Sequence, residues 1–326
     1  MERSGLPRLP DDFLDIAFYL YPSRQDAENG KDLGGTGFIV FKPFERLKEN
    51  AAFCLVTNKH VIQKGNTYIR INRIDGGKPD IFHIDEAEWH PHKGPHDVTV
   101  ALGIGDAQIH PLSRTVWYWQ LMSRTMAKDE YDIGIGDDVF MIGRFIGNDG
   151  KIQNRPSLRF GNISVDASNI YNTEAEYNEE SYAVEMKSKP GYSGSAVFVY
   201  ALRNSTVRKS KHKEFCMCLG VNWGHIMEKR PVLDEAGKVV KPRRYVPAPT
   251  DMSGVVPSWH IRSLLDSSPV MDGIRKIEER TMATMAASRV VTQQAVSPDD
   301  ANPNHLEDFN RLVDVAARKR PQGDQT

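Results

Sequence analysis

From about Leu14 to Tyr200, the chain is built of short apolar or alternating stretches rich in β-branched and aromatic residues. Polar, Gly-rich segments separate these stretches, which is the pattern of β-strands bounded by turns. The stretches, which continue just past Tyr200, are 15–21, 35–41, 51–57, 66–72, 97–103, 137–145, 159–165, 181–186, 195–200 and 215–224. Because they do not alternate regularly with helical segments, the pattern predicts an all-β barrel or sandwich rather than a parallel α/β sheet.

The hydrophobic pattern changes near Val256. A short amphipathic helix is predicted just after Pro257, and a longer run of helix-forming residues follows from Ser268. The stretch 305–320 places Leu306, Phe309, Leu312 and Val313 on roughly one helical face. We therefore predict one β domain over residues 1–268 and a helical C-terminal extension with a tail over residues 269–326.

The charge balance excludes some classes of partner. The chain has 326 residues and a formal net charge of -1, whereas a general nucleic-acid or anionic-membrane binder needs a basic excess. No apolar run reaches the roughly 20 residues that span a bilayer, and the N-terminal stretch lacks the features of a secretory signal. We expect a cytoplasmic protein with neither a nucleic-acid nor a membrane partner.

Cysteine and histidine do not indicate a metal site. The three cysteines, Cys54, Cys216 and Cys218, form no disulfide framework and lack further ligands at zinc spacing. We expect them to be small buried residues. His90, His92 and His96 lie in a Pro/Gly-rich stretch, which we interpret as a solvated loop near a cleft. No metal and no cofactor is therefore expected.

The segment KSKPGYSGSAVF sets Ser193 between two glycines, just ahead of an apolar strand. A serine hydroxyl is a poor nucleophile at neutral pH and needs a base, a group that orients the base, and donors for the oxyanion. His60, just past the strand that ends at Thr57, is the candidate base. Asp97, at the start of another strand, is the candidate orienting acid, and Asp132 in a Gly-rich loop is its weaker rival.

Taken together, the segments TGFIV, CLVTNKHVI, HDVTVAL, GDDVFMIGRF, RFGNIS and GYSGSAVF resemble the trypsin-like serine peptidases of chymotrypsin fold. The likeness is closest to the bacterial intracellular members and covers roughly Asp15 to Leu265. It implies a double β-barrel with a C-terminal helical extension. It also implies that His60 is the general base, Asp97 its orienting carboxylate and Ser193 the nucleophile, with the N–H groups of Gly191 and Ser193 forming the oxyanion hole.

The resemblance further implies the substrate-binding residues. Asn222, Trp223 and Gly224 match the strand that lines the primary specificity pocket, and Lys187 matches the base of that pocket. A lysine there would disfavour cleavage after Arg or Lys, leaving either an acidic preference or, with the lysine turned outward, a small apolar pocket. Tyr192 departs from the family pattern, which often has Asp there, so activation by a freed N-terminus pairing with that Asp is not expected.

The sequence therefore predicts a serine endopeptidase that cleaves protein substrates through an acyl-enzyme, with regulated intracellular effector activity as a further hypothesis. An α/β-hydrolase is rejected, because its acid and histidine follow the serine in the chain. One alternative is a catalytically inactive binding or scaffold protein on a protease fold. Another is a peptidase switched on by a regulatory protein partner that binds the C-terminal helices.

Overall fold

The first sheet is formed by the N-terminal third of the chain. The structure, a computed structural model, describes residues 9, 11–73, 76–103, 116–144, 150–186, 191–200, 216–241 and 244–295. The strands of this sheet are β1 (Ala17–Tyr21), β2 (Gly35–Pro43), β3 (Ala51–Thr57), β4 (Tyr68–Ile71), β5 (Asp80–His83), β6 (His90–Pro91), β7 (Thr99–Leu102) and β8 (Val116–Trp117). They follow the order β5-β4-β1-β2-β3-β7-β6, all antiparallel, and β8 adds to β2 in parallel. The sheet curls into a half-barrel.

Alternate side chains of β2 and β3 belong to two different hydrophobic cores. Ile39 and Leu55 face the inside of the curled sheet, together with Val61. Phe38 and Val40 face the other way and join a core that also contains residues of the second sheet. Both faces of these strands are therefore buried, which explains their nearly continuous apolar sequence.

The second sheet closes on itself. Its strands are β9 (Asp138–Arg144), β10 (Pro156–Asn172), β11 (Tyr177–Glu185), β12 (Ala196–Tyr200), β13 (Cys216–Pro231) and β14 (Tyr245–Pro257). They form an antiparallel barrel in the order β10-β11-β14-β13-β12-β9, filled by apolar side chains such as Met141, Val184 and Leu219. The predicted all-β plan is confirmed.

Short helices connect the strands, and two helices end the described chain. The helices are α1 (Arg24–Asn29), α2 (Lys59–Gln63), α3 (Ser258–Leu265) and α4 (Ser268–Ala295), with 3₁₀ turns at Asp11–Ile16, Glu86–Glu88 and Tyr118–Gln120 and a π turn at Met126–Glu130. The predicted helices after Pro257 and Ser268 are confirmed. The predicted helix over 305–320 lies outside the described residues. No described helix combines the length and the apolar character needed to cross a membrane.

The chain divides into two units, Met1–Glu278 and Glu279–Thr326. The first unit includes the beginning of α4, where Val270 and Ile274 are buried in the core between the sheets. Glu278, also buried, accepts hydrogen bonds from the backbone N–H groups of Arg46 and Leu47. The predicted domain boundary at Ser268 thus falls ten residues before the end of this unit, and whether the extension functions separately stays a prediction.

All three cysteines are buried and free, as expected. Burial raises the pKa of the Cys54 thiol to about 12, so it stays protonated at neutral pH.

Candidate active site

His60 and Asp97 form a buried pair at one edge of the first sheet. β3 ends at Thr57, and α2 starts two residues later, which turns the His60 side chain inward. The imidazole Nδ1 lies 2.5 Å from Asp97 Oδ2, and the His60 backbone N–H donates to Asp97 Oδ1 at 3.0 Å. Both carboxylate oxygens of Asp97 thus face the same histidine, which fixes the ring and leaves Nε2 as its outward nitrogen.

Asp97 is fully buried. Burial by itself would raise its pKa, but the hydrogen bonds and charge of His60, with a contribution from Asn172, hold that pKa below the usual value. The carboxylate is therefore ionised at neutral pH. An anion at this place stabilises a protonated imidazole at His60.

Asp97 is surrounded by polar groups from the second sheet and from the end of β3. Asn172, the last residue of β10, donates from Nδ2 to Asp97 Oδ2 at 3.3 Å. Glu179 on β11 accepts from the Asp97 backbone N–H through Oε2 at 2.8 Å. Asn58 donates from Nδ2 to the Asp97 carbonyl at 2.7 Å.

Ser193 lies in a tight loop before β12 that is hydrogen-bonded to the first sheet. Gly191 and Gly194 both have φ of +89°, the left-handed region that favours glycine. A Cβ at Gly194 would lie 1.7 Å from the Thr36 carbonyl oxygen. Thr36 of β2 donates from its N–H to the Ser193 carbonyl at 2.8 Å and from Oγ1 to the Gly191 carbonyl at 2.9 Å.

Thr57 connects the serine loop to the histidine side of the site. Its Oγ1 donates to the Thr36 carbonyl at 2.7 Å, three residues before His60 in the chain. The serine loop is thus bonded to β2, and β2 pairs directly with β3, the strand that leads to the candidate base.

The Ser193 hydroxyl itself donates to the Trp223 carbonyl at 3.0 Å. Within the described chain, no hydrogen bond joins Ser193 Oγ to His60. The His–Asp half of the arrangement is assembled, and the serine hydroxyl points to β13.

The N–H groups of the candidate oxyanion hole make no hydrogen bond to the described part of the chain. The next two amides are used, because Gly194 N–H donates to the Asn222 carbonyl and Ser195 N–H to the Tyr192 carbonyl. Neither Gly191 N–H nor Ser193 N–H donates to a described protein acceptor. Two free amides beside a serine can bind a developing negative charge.

The predicted substrate strand lies next to the serine loop. Asn222 exchanges backbone hydrogen bonds with Gly194 and Ser195, and its Nδ2 donates to the Tyr192 carbonyl at 3.0 Å. The Trp223 ring is buried, and its Nε1 donates to Ser181 Oγ, so the indole is part of the core. Gly224 follows with φ of +148°. Lys187, the predicted base of the specificity pocket, lies outside the described residues.

Solved structures of three proteases resemble the chain. The protease domain of MamO from Magnetospirillum magneticum (apo form) is 12% identical with a TM-score of 0.46, and the match covers 78% of this chain and 98% of that one. The Rv3671c protease, in an inactive form, is 15% identical with a TM-score of 0.40, over 78% of this chain and 88% of that one. The HtrA-type protease AlgW, solved with a decapeptide, is 16% identical with a TM-score of 0.39 over 72% of this chain. The match spans about half of the AlgW chain, 52%. No family model matches the chain, and no curated protein does.

A closed antiparallel barrel lies beside a curled antiparallel sheet, with a buried His–Asp pair and a Gly-flanked serine where they meet. This is the arrangement that the sequence resemblance to the trypsin-like peptidases implies, except that the first sheet is a half-barrel rather than a closed barrel. The other candidate acid, Asp132, is exposed and lies in a left-handed turn before β9.

Sequence reasoning missed part of the candidate site. The interpretation of His90, His92 and His96 as a solvated loop is wrong for His96, whose ring stacks on His260 of α3 at 3.5 Å between centroids, with His92 against both. Burial lowers the pKa of His96 to about 4, with the neighbouring His260 and His92 adding to the shift. Asn172 and Glu179 were not predicted at all. Their neighbours in the sequence are mostly polar, which is typical of a solvated hairpin. Only the packing of the two sheets places both residues against Asp97.

Proposed function

We propose that the protein is a serine endopeptidase in which Ser193 is the nucleophile, His60 the general base and Asp97 the residue that orients His60. The observation that carries the proposal is the buried His60–Asp97 pair, with both carboxylate oxygens on one histidine. Fixing the imidazole in this way is the role of the acid in serine peptidases. Thr57, three residues before His60, bonds to Thr36, which in turn bonds to the serine loop.

Catalysis would begin with a rotation of the serine side chain. Ser193 Oγ leaves the Trp223 carbonyl, to which it donates in the free protein, and turns to His60 Nε2. His60 takes the hydroxyl proton while Oγ bonds to the scissile carbonyl carbon. It then gives that proton to the leaving amine, which produces the acyl-enzyme. A water deprotonated by His60 releases the acid product and restores Ser193. Rotations of this kind are common, since catalytic hydrogen bonds often form only with substrate bound.

Gly191 and Ser193 would supply the oxyanion donors. Their amides make no bond to a described protein acceptor, and the loop that holds them is fixed to Thr36 on one side and to Asn222 on the other. A donor that is held in place before the reaction stabilises the oxyanion without reorganisation. No cofactor is part of this scheme.

The substrate is a protein or peptide, with its backbone next to β13 at Asn222–Gly224. With Lys187 at or near the base of the primary pocket, we propose that cleavage after Arg or Lys is disfavoured. Small apolar or acidic residues remain as the residue before the scissile bond. A peptide-library cleavage profile tests this, and a strong preference for Arg or Lys would contradict it.

A fluorophosphonate probe tests the nucleophile directly, because such probes phosphonylate activated serines. The wild type should be labelled, Ser193→Ala should not be, and His60→Ala should be labelled very slowly. Ser195→Ala is the matched control: it removes a serine hydroxyl two residues away, buried in the same loop, and should leave labelling intact. Labelling of Ser193→Ala at the wild-type rate would refute the assignment.

A second candidate function is a non-catalytic binding or scaffold protein on this fold. The observation that favours it is the bond of Ser193 Oγ to Trp223 rather than to His60. Under this hypothesis the wild type would bind peptides without being labelled by the probe. The cytoplasmic location and a regulatory protein partner for the C-terminal helices also remain proposals.

A further inference from the structure

Glu179 is a buried carboxylate that the Ser–His–Asp scheme does not use. It lies on β11 of the second sheet and is 1% exposed. Its Oε2 accepts from the backbone N–H of Asp97 at 2.8 Å, and its Oε1 accepts from Asn172 Nδ2 at 2.5 Å. A buried anion is costly unless its oxygens are satisfied, and both oxygens here are used for contacts with the surroundings of Asp97.

Asn172 connects this carboxylate to the catalytic acid. Its Oδ1 accepts from the backbone N–H groups of Glu174 and Ala175 at 2.8 and 3.1 Å. These two donors determine which end of the amide faces which way, so Nδ2 must point at the carboxylates. From there it donates to Glu179 Oε1 and to Asp97 Oδ2.

A carboxylate is the one side chain of this shape that fits here. Both neighbours, Asp97 N–H and Asn172 Nδ2, are donors, so both oxygens of residue 179 must accept. A glutamine would present its own N–H groups to one of them. Protonation of Glu179 has the same effect, because the added O–H also faces a donor.

We infer that Glu179, acting through Asn172, is a positioning residue that holds the Asp97 carboxylate in the orientation in which it binds His60. The inference rests on the proposed function. It makes the second sheet responsible for the geometry of a His–Asp pair that belongs entirely to the first sheet. Loss of either bond frees Asp97 Oδ2 to move relative to His60 Nδ1.

The ionisation of Glu179 adds a pH dependence. Burial raises its pKa to about 7, against the opposing hydrogen bonds from Asn172 and Asp97. The titratable groups that face it are Asp97, Lys59, Tyr177 and His96, whose Nδ1 is 4.0 Å from Oε2. Glu179 should therefore lose its proton near neutral pH. The acid limb of the labelling rate should then reflect two deprotonations rather than one.

The first experiment measures the second-order rate of fluorophosphonate labelling from about pH 5 to about pH 9 for the wild type and Glu179→Gln. Displacement of a catalytic group without loss of the fold costs about 10- to 100-fold in rate. We expect a loss of that size in Glu179→Gln, with an acid limb that reflects one deprotonation. Glu185→Gln, on the same strand and exposed, is the matched control and should behave as the wild type.

Two further variants separate positioning from folding. Asn172→Ser removes the amide donor to Asp97 but keeps Glu179. The labelling rate should therefore fall, while the acid limb of its pH profile still reflects two deprotonations. The double variant Asn172→Asp with Glu179→Gln restores a donor–acceptor pair between 172 and 179 but presents an oxygen to Asp97. Because a carboxylate then faces that of Asp97, the double variant should remain slow whatever its thermal stability. Recovery of the rate along with stability would show that Glu179 acts only on the fold.

A spectroscopic arm does not depend on turnover. In a Ser193→Ala background, the low-field proton NMR signal of the His60–Asp97 hydrogen bond should shift or broaden when Glu179→Gln is added. An unchanged signal, or a Glu179→Gln labelling rate within about twofold of wild type at every pH, would overturn the inference. If the wild type is not labelled while the NMR signal responds to Glu179→Gln, the proposed function fails and the positioning role stands.

Discussion

Raising the pH through neutrality should destabilise the fold through Glu179. Burial raises the pKa of this carboxyl from an ordinary value of 4.5 to about 7. A raised pKa means that the folded state holds its proton more tightly, so the stabilising contribution is complete below pH 4.5 and is lost as pH rises through 7. At about 1.4 kcal/mol for each pKa unit, the total loss is about 3 kcal/mol, most of which falls between about pH 5 and about pH 8.5.

Urea denaturation of the wild type and Glu179→Gln at those two pH values measures this loss. The glutamine cannot titrate, so its unfolding free energy carries the pH dependence of all other groups, including His96. The difference in unfolding free energy between the two proteins should therefore shift in favour of Glu179→Gln by about 2 to 3 kcal/mol at the higher pH. Equal differences at both pH values would refute the reasoning, because Glu179 would then titrate alike in the folded and unfolded chains.

Three other perturbations have expected outcomes. Asp97→Asn should lower turnover about 10⁴-fold, since an amide offers a donor to groups that already donate, whereas Asp132→Asn should leave it unchanged; steady-state kinetics on one peptide substrate would decide, and the reverse ranking would mean that Asp132 is the acid. Gly194→Ala should abolish labelling and cost at least about 2 kcal/mol, measured by thermal unfolding, because its Cβ would meet the Thr36 carbonyl. Gly65→Ala is the control with positive φ and open space, and a similar loss there would assign the effect to backbone strain alone. A chain ending at Glu278 should fold and change only in assembly or partner response, whereas one ending at Ser268 should lose about 1.5–3 kcal/mol for each of Val270 and Ile274; a fully stable shorter chain in circular dichroism melts would show that α4 is dispensable.

The all-β fold could be predicted, and the candidate site residues could be proposed, because each has a local signal; the roles of those residues stay predictions. Strand periodicity marks both sheets, and His60, Asp97 and Ser193 each stand at the end or start of an apolar stretch. These signals are properties of a few adjacent residues, and the strands that carry them are confirmed in β3, β7 and β12.

Glu179 and His260 could not be predicted, because their environment is created by packing. Glu179 stands in EYNEES, a stretch in which every residue except Tyr177 is charged or strongly polar, as on a solvated hairpin. His260 lies more than 160 positions after His96 in the sequence, and only the docking of α3 brings the two rings into contact. When a charged or aromatic side chain is buried by residues far away in the sequence, the residues next to it in the chain carry no signal of that burial.

The hydrogen bonds from Thr36 to the serine loop join residues that are 155 positions apart. During synthesis, the first sheet and its His–Asp pair leave the ribosome long before the serine loop and the β13 strand that supports it. Contacts of such sequence separation form late and slowly in folding. Under the proposed function, the capacity for hydrolysis would therefore arise only once the two sheets have docked. Newly made chains would pass through the cell's folding machinery without the means to cut it or one another.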